Sequence, residues 1–189
     1  MTLYKVHEDA ANYQSMTLDI DDFLDLLDPH IGEAAAMQLG KKNISVKACW
    51  EPLDLGYYHN EGTVSLADIS IWRSGVLLMN QKAFRALEGI LAPFGEILPC
   101  ELHGNPAYFF NCLNLKPSDA AQIQYRMHKD IFADVESIVF SDDESDDIFK
   151  HENEISFEMF CSKQLVDVVK QADLKGLAFT ENLAASVPV

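Results

Sequence analysis

Two runs of carboxylates are the residues of this sequence best placed to do chemistry. Asp19, Asp21, Asp22 and Asp25 fall within seven residues, and Asp142, Asp143, Glu144, Asp146 and Asp147 fall within six. Clustered carboxylates suit either a hard cation or a basic partner. A calcium loop of the EF-hand type needs acids at alternate positions, a central glycine and a closing glutamate. Neither run contains a glycine, so neither is expected to hold a metal. The plain alternative is a solvated helix face for the first run and a flexible hairpin loop for the second. The functional alternative is electrostatic, because a dense negative field speeds the approach of a basic protein and orients it. On that reading Asp142, Asp143, Glu144, Asp146 and Asp147 are partner-binding residues, with Asp21, Asp22 and Asp25 as a second set.

Catalytic motifs are missing. There is no G-x-S-x-G and no G-x-G-x-x-G, and Gly40-Lys41-Lys42 lacks both the upstream glycine and the Ser or Thr of a phosphate loop. His151-Glu152-Asn153-Glu154 begins like a zincin helix, but no second histidine follows four residues on. The six histidines are scattered, and surface or capping positions are expected for them. Cys49, Cys100, Cys112 and Cys161 form no C-x-x-C pair, and the last three sit in apolar runs as small buried residues would. Neither an enzyme nor a cofactor nor a metal is expected.

Charge narrows the partners. Thirty Asp and Glu against fourteen Lys and Arg leave a net charge of −16, which repels nucleic acid and acidic membrane surfaces and favours basic proteins. At 189 residues with 48% hydrophobic content, the chain can bury one ordinary core as a single domain. No basic stretch followed by an apolar run opens the sequence, and no apolar stretch approaches the roughly 20 residues of a membrane helix. The expectation is a soluble, reduced, cytoplasmic protein, monomeric or weakly dimeric.

Periodicity supplies the elements that position these groups. Leu3 to Val6 reads as a strand, and Ile20, Phe23, Leu24 and Leu27 as one face of a helix that Asp28-Pro29 ends. Ile31 to Leu39 predicts a second short helix, and the alternation of Ile44, Val46, Ala48 and Trp50 predicts a strand. Glu51 to Val64 has loop character. Ile69 to Trp72 and Val76 to Met79 are short apolar strands, followed by a helix capped by Asn80 with Ala83, Phe84, Leu87 and Leu91 inside. Glu96 to Leu102 and Tyr108 to Leu115 are strands joined by a turn at His103-Gly104-Asn105-Pro106, and Ser118 to Met127 is weakly helical. Ser137 to Phe140, Ile148 to Lys150 and Ile155 to Phe160 are strands, the first two flanking the acidic loop. Ser162 caps a helix whose inner face carries Leu165, Val168, Val169 and Ala172; Gly176 and a strand at Leu177 to Thr180 follow. Phe84, Leu87, Leu165 and Val169 are expected core residues.

Two stretches match in pattern. Leu77 to Leu87 leads to Gly95-Glu-Ile-Leu, and Met159 to Val169 leads to Gly176-Leu-Ala-Phe, with Asn80 and Ser162 in equivalent places. Each gives strand, polar cap, helix, glycine, strand. The predicted fold is therefore α+β: a single domain with a mixed or antiparallel sheet, a few packed helices and two similar strand–helix–strand halves. Common ancestry of the halves and convergence on a widespread unit are equally good explanations.

The order of these pieces resembles a family of bacterial immunity proteins, once a domain of unknown function, that takes its label from a myxobacterial member. The resemblance lies in Asp68-Ile-Ser-Ile-Trp-Arg-Ser-Gly-Val-Leu-Leu-Met-Asn80, then Glu96-Ile-Leu-Pro-Cys-Glu-Leu102 and Tyr108-Phe-Phe-Asn111. It continues in Ile148-Phe-Lys150, Phe160-Cys-Ser-Lys-Gln-Leu-Val166 and Gly176-Leu-Ala-Phe179. It covers about residues 68–181, within a family-like core of 68–183 that follows a variable part at 1–67 and precedes a tail at 184–189. The family's Val-Asp pair after the Tyr-x-x-Asn strand is replaced here by Cys112-Leu-Asn-Leu, and its usual helix-capping serine by Asn80. The resemblance implies a non-enzymatic inhibitor that binds a toxin domain delivered by contact-dependent or type VI secretion and occludes its active site. Without a visible signal peptide the toxin is expected to act in the cytoplasm, as nucleases, deaminases and NAD-consuming enzymes do. A toxin-independent acidic adaptor and, at lower weight, a small hydrolase remain open from the residues alone.

Overall fold

The apolar residues of this chain lie on both faces of two sheets, and the fold follows from how those four faces are covered. The structure is a computed structural model describing residues 2–58, 65–128, 131–141, 146–152 and 157–185. Its first third contains β1 (Leu3–Glu8), β2 (Tyr13–Gln14), β3 (Met16–Leu18), α1 (Ile20–Ile31), α2 (Glu33–Met37) and β4 (Asp54–Tyr57). Next come β5 (Ser65–Leu66), β6 (Ile69–Arg73), β7 (Val76–Asn80), α3 (Gln81–Leu91), β8 (Gly95–Leu102), β9 (Asn105–Cys112) and β10 (Leu115–Lys116). The last part holds β11 (Ala121–His128), β12 (Ile131–Phe140), β13 (Ile148–Glu152), β14 (Phe157–Ser162), α4 (Lys163–Gln171) and β15 (Leu177–Thr180). The larger sheet has the order β3-β4-β8-β9-β7-β6 and the smaller one β10-β13-β14-β1-β15.

The sequence repeat is a repeat of topology. In the larger sheet the hairpin β6–β7 leads through α3 to β8, and β9 lies between β7 and β8, antiparallel to both. In the smaller sheet the hairpin β13–β14 leads through α4 to β15, and β1 lies between β14 and β15, antiparallel to both. The intervening strand is thus the next one in sequence in the first half, and the first strand of the chain in the second. Asn80 and Ser162 occupy the same place, their side chains accepting from the backbone N–H groups of Ala83 and Leu165 respectively. Such caps satisfy one of the orphan donors at a helix start.

Both helices bury their apolar stripes in one core between the sheets. Leu87, Leu91, Leu165 and Val169 are buried there with Leu77, Met79 and Phe110 from the larger sheet and Met159 and Cys161 from the smaller. The expectation for Phe84 is corrected: it is half-buried, because it stacks on Tyr108 (centroids 3.7 Å apart) at the margin of the core. The far face of the larger sheet, with Leu78, Leu98 and Phe109, packs on Phe23, Leu27 and Val46. The far face of the smaller sheet, with Phe149 and Phe160, packs on Ile138 and Phe140 of the β11–β12 hairpin. Both faces of β7 are therefore covered, and Val76–Met79 is apolar throughout.

Four sequence expectations are overturned. Residues 44–50 are irregular, with a turn at 47–49, rather than a strand, because Glu96 takes the backbone: it accepts from Val46 N at 2.8 Å and Ser45 Oγ at 2.7 Å. Asp54–Tyr57, read as loop, is β4, paired with β3 and β8. Ala121–His128, read as weakly helical, is a strand, with Gln122, Gln124 and Arg126 exposed and Ile123 and Tyr125 half-buried in period-two alternation. Pro29 does not end α1, which runs on to Ile31; the N–H it lacks would have bonded Asp25, where the helix faces water. Two smaller differences are a tighter β8–β9 turn, with φ of 51° at His103 and 76° at Gly104, and buried positions for His7 and His151 on the covered face of the smaller sheet.

The two halves meet at Asp68. Its carboxylate accepts from Asn80 Nδ2 at 2.8 Å, Lys82 Nζ at 2.9 Å and Lys175 N at 3.0 Å, tying the start of β6 to α3 and to the turn before β15. At the same corner Gly176 has φ 111°, and a Cβ there would collide with the Ile69 carbonyl.

A second tie is a buried lysine. Lys150, on β13, is fully buried; its stem fills the space that a side chain at Gly75 would need, and its Nζ donates to the Lys42 carbonyl at 2.9 Å. Burial pushes its pKa down from 10.5 to about 8, against an opposing influence of Cys112. The folded state therefore binds fewer protons than the unfolded one between those values, so the cost of burying Lys150 is full below about pH 8 and fades as pH rises. Lys150→Met is expected to exceed wild type in stability by about 1–3 kcal/mol at neutral pH and to lose that advantage near pH 10. Urea melts of both proteins at the two pH values check this. An equal advantage at both would show that Lys150 stays charged throughout.

Candidate partner-binding face

The strands that flank the acidic run do not pair with each other as those of a hairpin would: β12 pairs with β11, whereas β13 pairs with β10 and β14. Asp142, Asp143 and Glu144 lie outside the described residues. Asp146 and Asp147 are half-buried and turned inward. Asp146 accepts from Asn114 Nδ2 at 2.7 Å and is paired with Lys116. Burial acts to raise its pKa, but the bonds from Lys116 and Asn114 and the Lys116 charge outweigh it, so the carboxyl lies below its ordinary value. Asp147 accepts from the hydroxyl of Ser162, the residue that caps α4. These two acids hold β10 and α4 in place.

Asp21, Asp22 and Asp25 are all exposed along α1. The local sequence explains their setting. Asp19 is the N-cap, its Oδ1 accepting from Asp21 N at 2.8 Å, and acids in the first turn complement the helix dipole. Phe23 and Leu27 turn inward, which leaves the carboxylates in water. Nearby, β4 and β8 run parallel with Asp54 opposite Glu101, and both are exposed. Like charges placed opposite one another on neighbouring strands are unfavourable. Among the described residues the ion pairs join Lys5–Glu158, Lys82–Asp68, Lys116–Asp146, Lys163–Asp167 and Lys175–Asp173. None involves an acid of α1, β4 or β8. Among the described residues these exposed acids have no ion-pair partner.

A groove opens beside the start of α1. It encloses about 620 Å³ between the end of β3, the start of α1, β4 and the end of β6. Asp19 and Asp54 lie on its rim with Ile20 and Tyr58, which are 36% and 58% exposed. Its floor is Trp72 and Arg73. The Trp72 indole N–H donates to the Leu18 carbonyl at 3.0 Å, which fixes the ring. The Arg73 guanidinium lies 4.4 Å from that ring, half-buried, with no carboxylate in ion-pair range among the described residues; burial lowers its pKa.

No three His, Cys, Asp or Glu side chains come together as cation ligands among the described residues. Burial pushes the Cys100 thiol up to about 12 and raises those of Cys112 and Cys161, so none is poised as a thiolate. Asp21, Asp22 and Asp25 were legible as exposed acids from helical periodicity. Asp54, Glu101, Tyr58 and the groove were not, because they depend on a parallel strand pairing inside a segment without a clear period.

Stability separates the two acidic groups. Asp146→Ala and Asp147→Ala are each expected to cost about 1–2 kcal/mol, since each strands an internal donor. Asp25→Asn is expected to change stability by less than about 0.5 kcal/mol. Urea melts of the three variants decide it; an unaltered midpoint for both alanine variants would mean that the inward contacts hold nothing.

Neither a protein-family model nor a curated protein matches this sequence.

Proposed function

We propose that this protein is an immunity protein that binds and neutralises a secreted toxin domain acting in the cytoplasm, without catalysis of its own. The observation that carries this reading is the set of exposed acids on α1, β4 and β8 that enter no ion pair among the described residues. Charges that stabilise a fold are commonly paired or capped, as Asp68, Asp146 and Asp147 are. Among the described residues Asp25, Asp54 and Glu101 have no such role, and a basic partner surface would relieve the repulsion between Asp54 and Glu101. Toxins that act on nucleic acid present basic clefts, and a rigid anionic inhibitor has only to mask such a cleft. The resemblance of residues 68–181 to immunity proteins supports the same reading. Among the described residues no helix is long and apolar enough to cross a membrane.

The test is co-expression with the C-terminal domain of the protein encoded by the neighbouring gene, the toxin this reading expects. The expected result is restored growth and a one-to-one complex whose association slows steeply as salt is raised, because exposed charges are screened within about 8–10 Å near physiological ionic strength. Absence of both protection and complex would remove the immunity reading. A stable complex with a basic protein that is not a toxin would put the adaptor reading in its place.

A further inference from the structure

We infer that the groove beside the start of α1 is the docking site for an extended basic segment of a partner protein. In this arrangement an Arg or Lys of the partner sits between Asp19 and Asp54, and a neighbouring apolar side chain packs on Ile20 and Tyr58. The inference rests on reading the protein as a binding protein and specifies which surface does the binding and what chemistry it accepts.

Three observations meet at this place. First, Ile20 and Tyr58 are two of the five large apolar side chains exposed among the described residues, and both line this one groove. Its volume of about 620 Å³ suits a few side chains rather than a flat contact. Second, Asp54 faces Glu101 across β4 and β8 with no ion-pair partner for either among the described residues, so a partner's cation removes a repulsion as well as making a contact. Third, the walls are fixed in advance. Asp19 is held by its capping bond and Trp72 by its bond to Leu18, so little side-chain freedom is lost on binding.

Arg73 decides the type of occupant. A guanidinium on the floor disfavours a bare metal ion or a free polyamine, and nucleic acid is repelled by the rim. A polypeptide satisfies both parts at once, bringing a cation for the carboxylates and main-chain carbonyls for the Arg73 N–H groups. A second copy of this chain carries the same charge of −16 and is disfavoured for that reason.

The test uses the full-length protein and two fluorescently labelled decapeptides, one alternating Arg and Leu and one with the same charge spaced by Gly and Ser. Binding is read by fluorescence anisotropy. The Arg-Leu peptide is expected to bind more tightly than the Gly-Ser peptide. The double change Asp54→Asn with Tyr58→Ser is expected to weaken it at least about tenfold. Glu88→Gln, which removes the same charge from an exposed site on α3, is expected to leave it within about twofold. Should the double variant melt early, Ile20→Gln serves the same purpose from the other wall. Equal weakening by the groove and control variants would overturn the inference and leave only general charge attraction. Concentration-dependent dimerisation abolished by Tyr58→Ser would overturn the choice of occupant. The toxin experiment separates the two readings. If the toxin domain binds wild type and the groove variant alike, this inference falls and the immunity reading stands. If the peptide behaves as expected but no toxin is bound, the reverse holds.

Discussion

Two sheets present four faces, and a single layer of helices covers only two of them. That constraint organises the molecule. Each strand–helix–strand half leaves one sheet face bare, and together α3 and α4 close the inner faces on one core. Leaving large side chains such as Phe109, Phe149 and Phe160 in water would forgo about 1.5–3 kcal/mol each. The outer faces are accordingly covered by parts of the chain that belong to neither repeat. The N-terminal helices and the 44–50 segment cover Phe109, and the β11–β12 hairpin covers Phe149 and Phe160. Only β1 crosses from the first third into the second repeat, where it completes the smaller sheet.

Covering a sheet with irregular chain raises a second difficulty, since backbone groups without a ladder still need partners. Buried polar side chains provide them. Glu96 receives Val46 N and Ser45 Oγ, and Asn111 donates both to Glu96 and to the Ile44 carbonyl, each at 2.9 Å. Ser70 Oγ accepts from Met16 N at 2.8 Å, and Trp72 donates to Leu18; these bonds join β6 to β3, the two outermost strands of the larger sheet. The short parallel pair β2–β5 continues the same seam. The Lys5–Glu158 pair on the smaller sheet is also largely buried, and the desolvation of such a pair offsets much of its attraction. Its contribution is to geometry more than to stability.

How much could be read beforehand follows from the same division. Inside the repeats the determinants are local: a cap at Asn80 or Ser162, an apolar stripe, a glycine and a strand. Those elements emerge with small errors at their ends. In the covering parts the determinants are distant. Nothing near Ile44 or Trp50 announces that Glu96 will claim the backbone between them, and the alternation that suggests a strand survives as the inward packing of Ile44, Val46 and Trp50. At Ala121–His128 the period-two pattern of Ile123 and Tyr125 is present in the sequence, but the polar residues between them give the segment the composition of an exposed helix. The acidic residues divide likewise. Those of α1 were legible from one helical turn, whereas the inward roles of Asp146 and Asp147 depend on Lys116 and Ser162, at sequence distances of 30 and 15 residues.

This division also explains where the charge goes. Around the smaller sheet and the Asp68 junction, acids are matched to lysines or to orphan donors, because several elements converge there and unpaired carboxylates would be trapped at partial burial. Helix α1 covers the larger sheet from outside and meets no further layer, so its outward face has no structural need for countercharge. Solubility would account for scattered carboxylates on such a face, but not for Asp54 set opposite Glu101, nor for exposed Ile20 and Tyr58 beside them. Apolar exposure works against solubility, and opposed like charges work against stability. The proposed docking of a basic segment with an apolar neighbour in the groove would offset both.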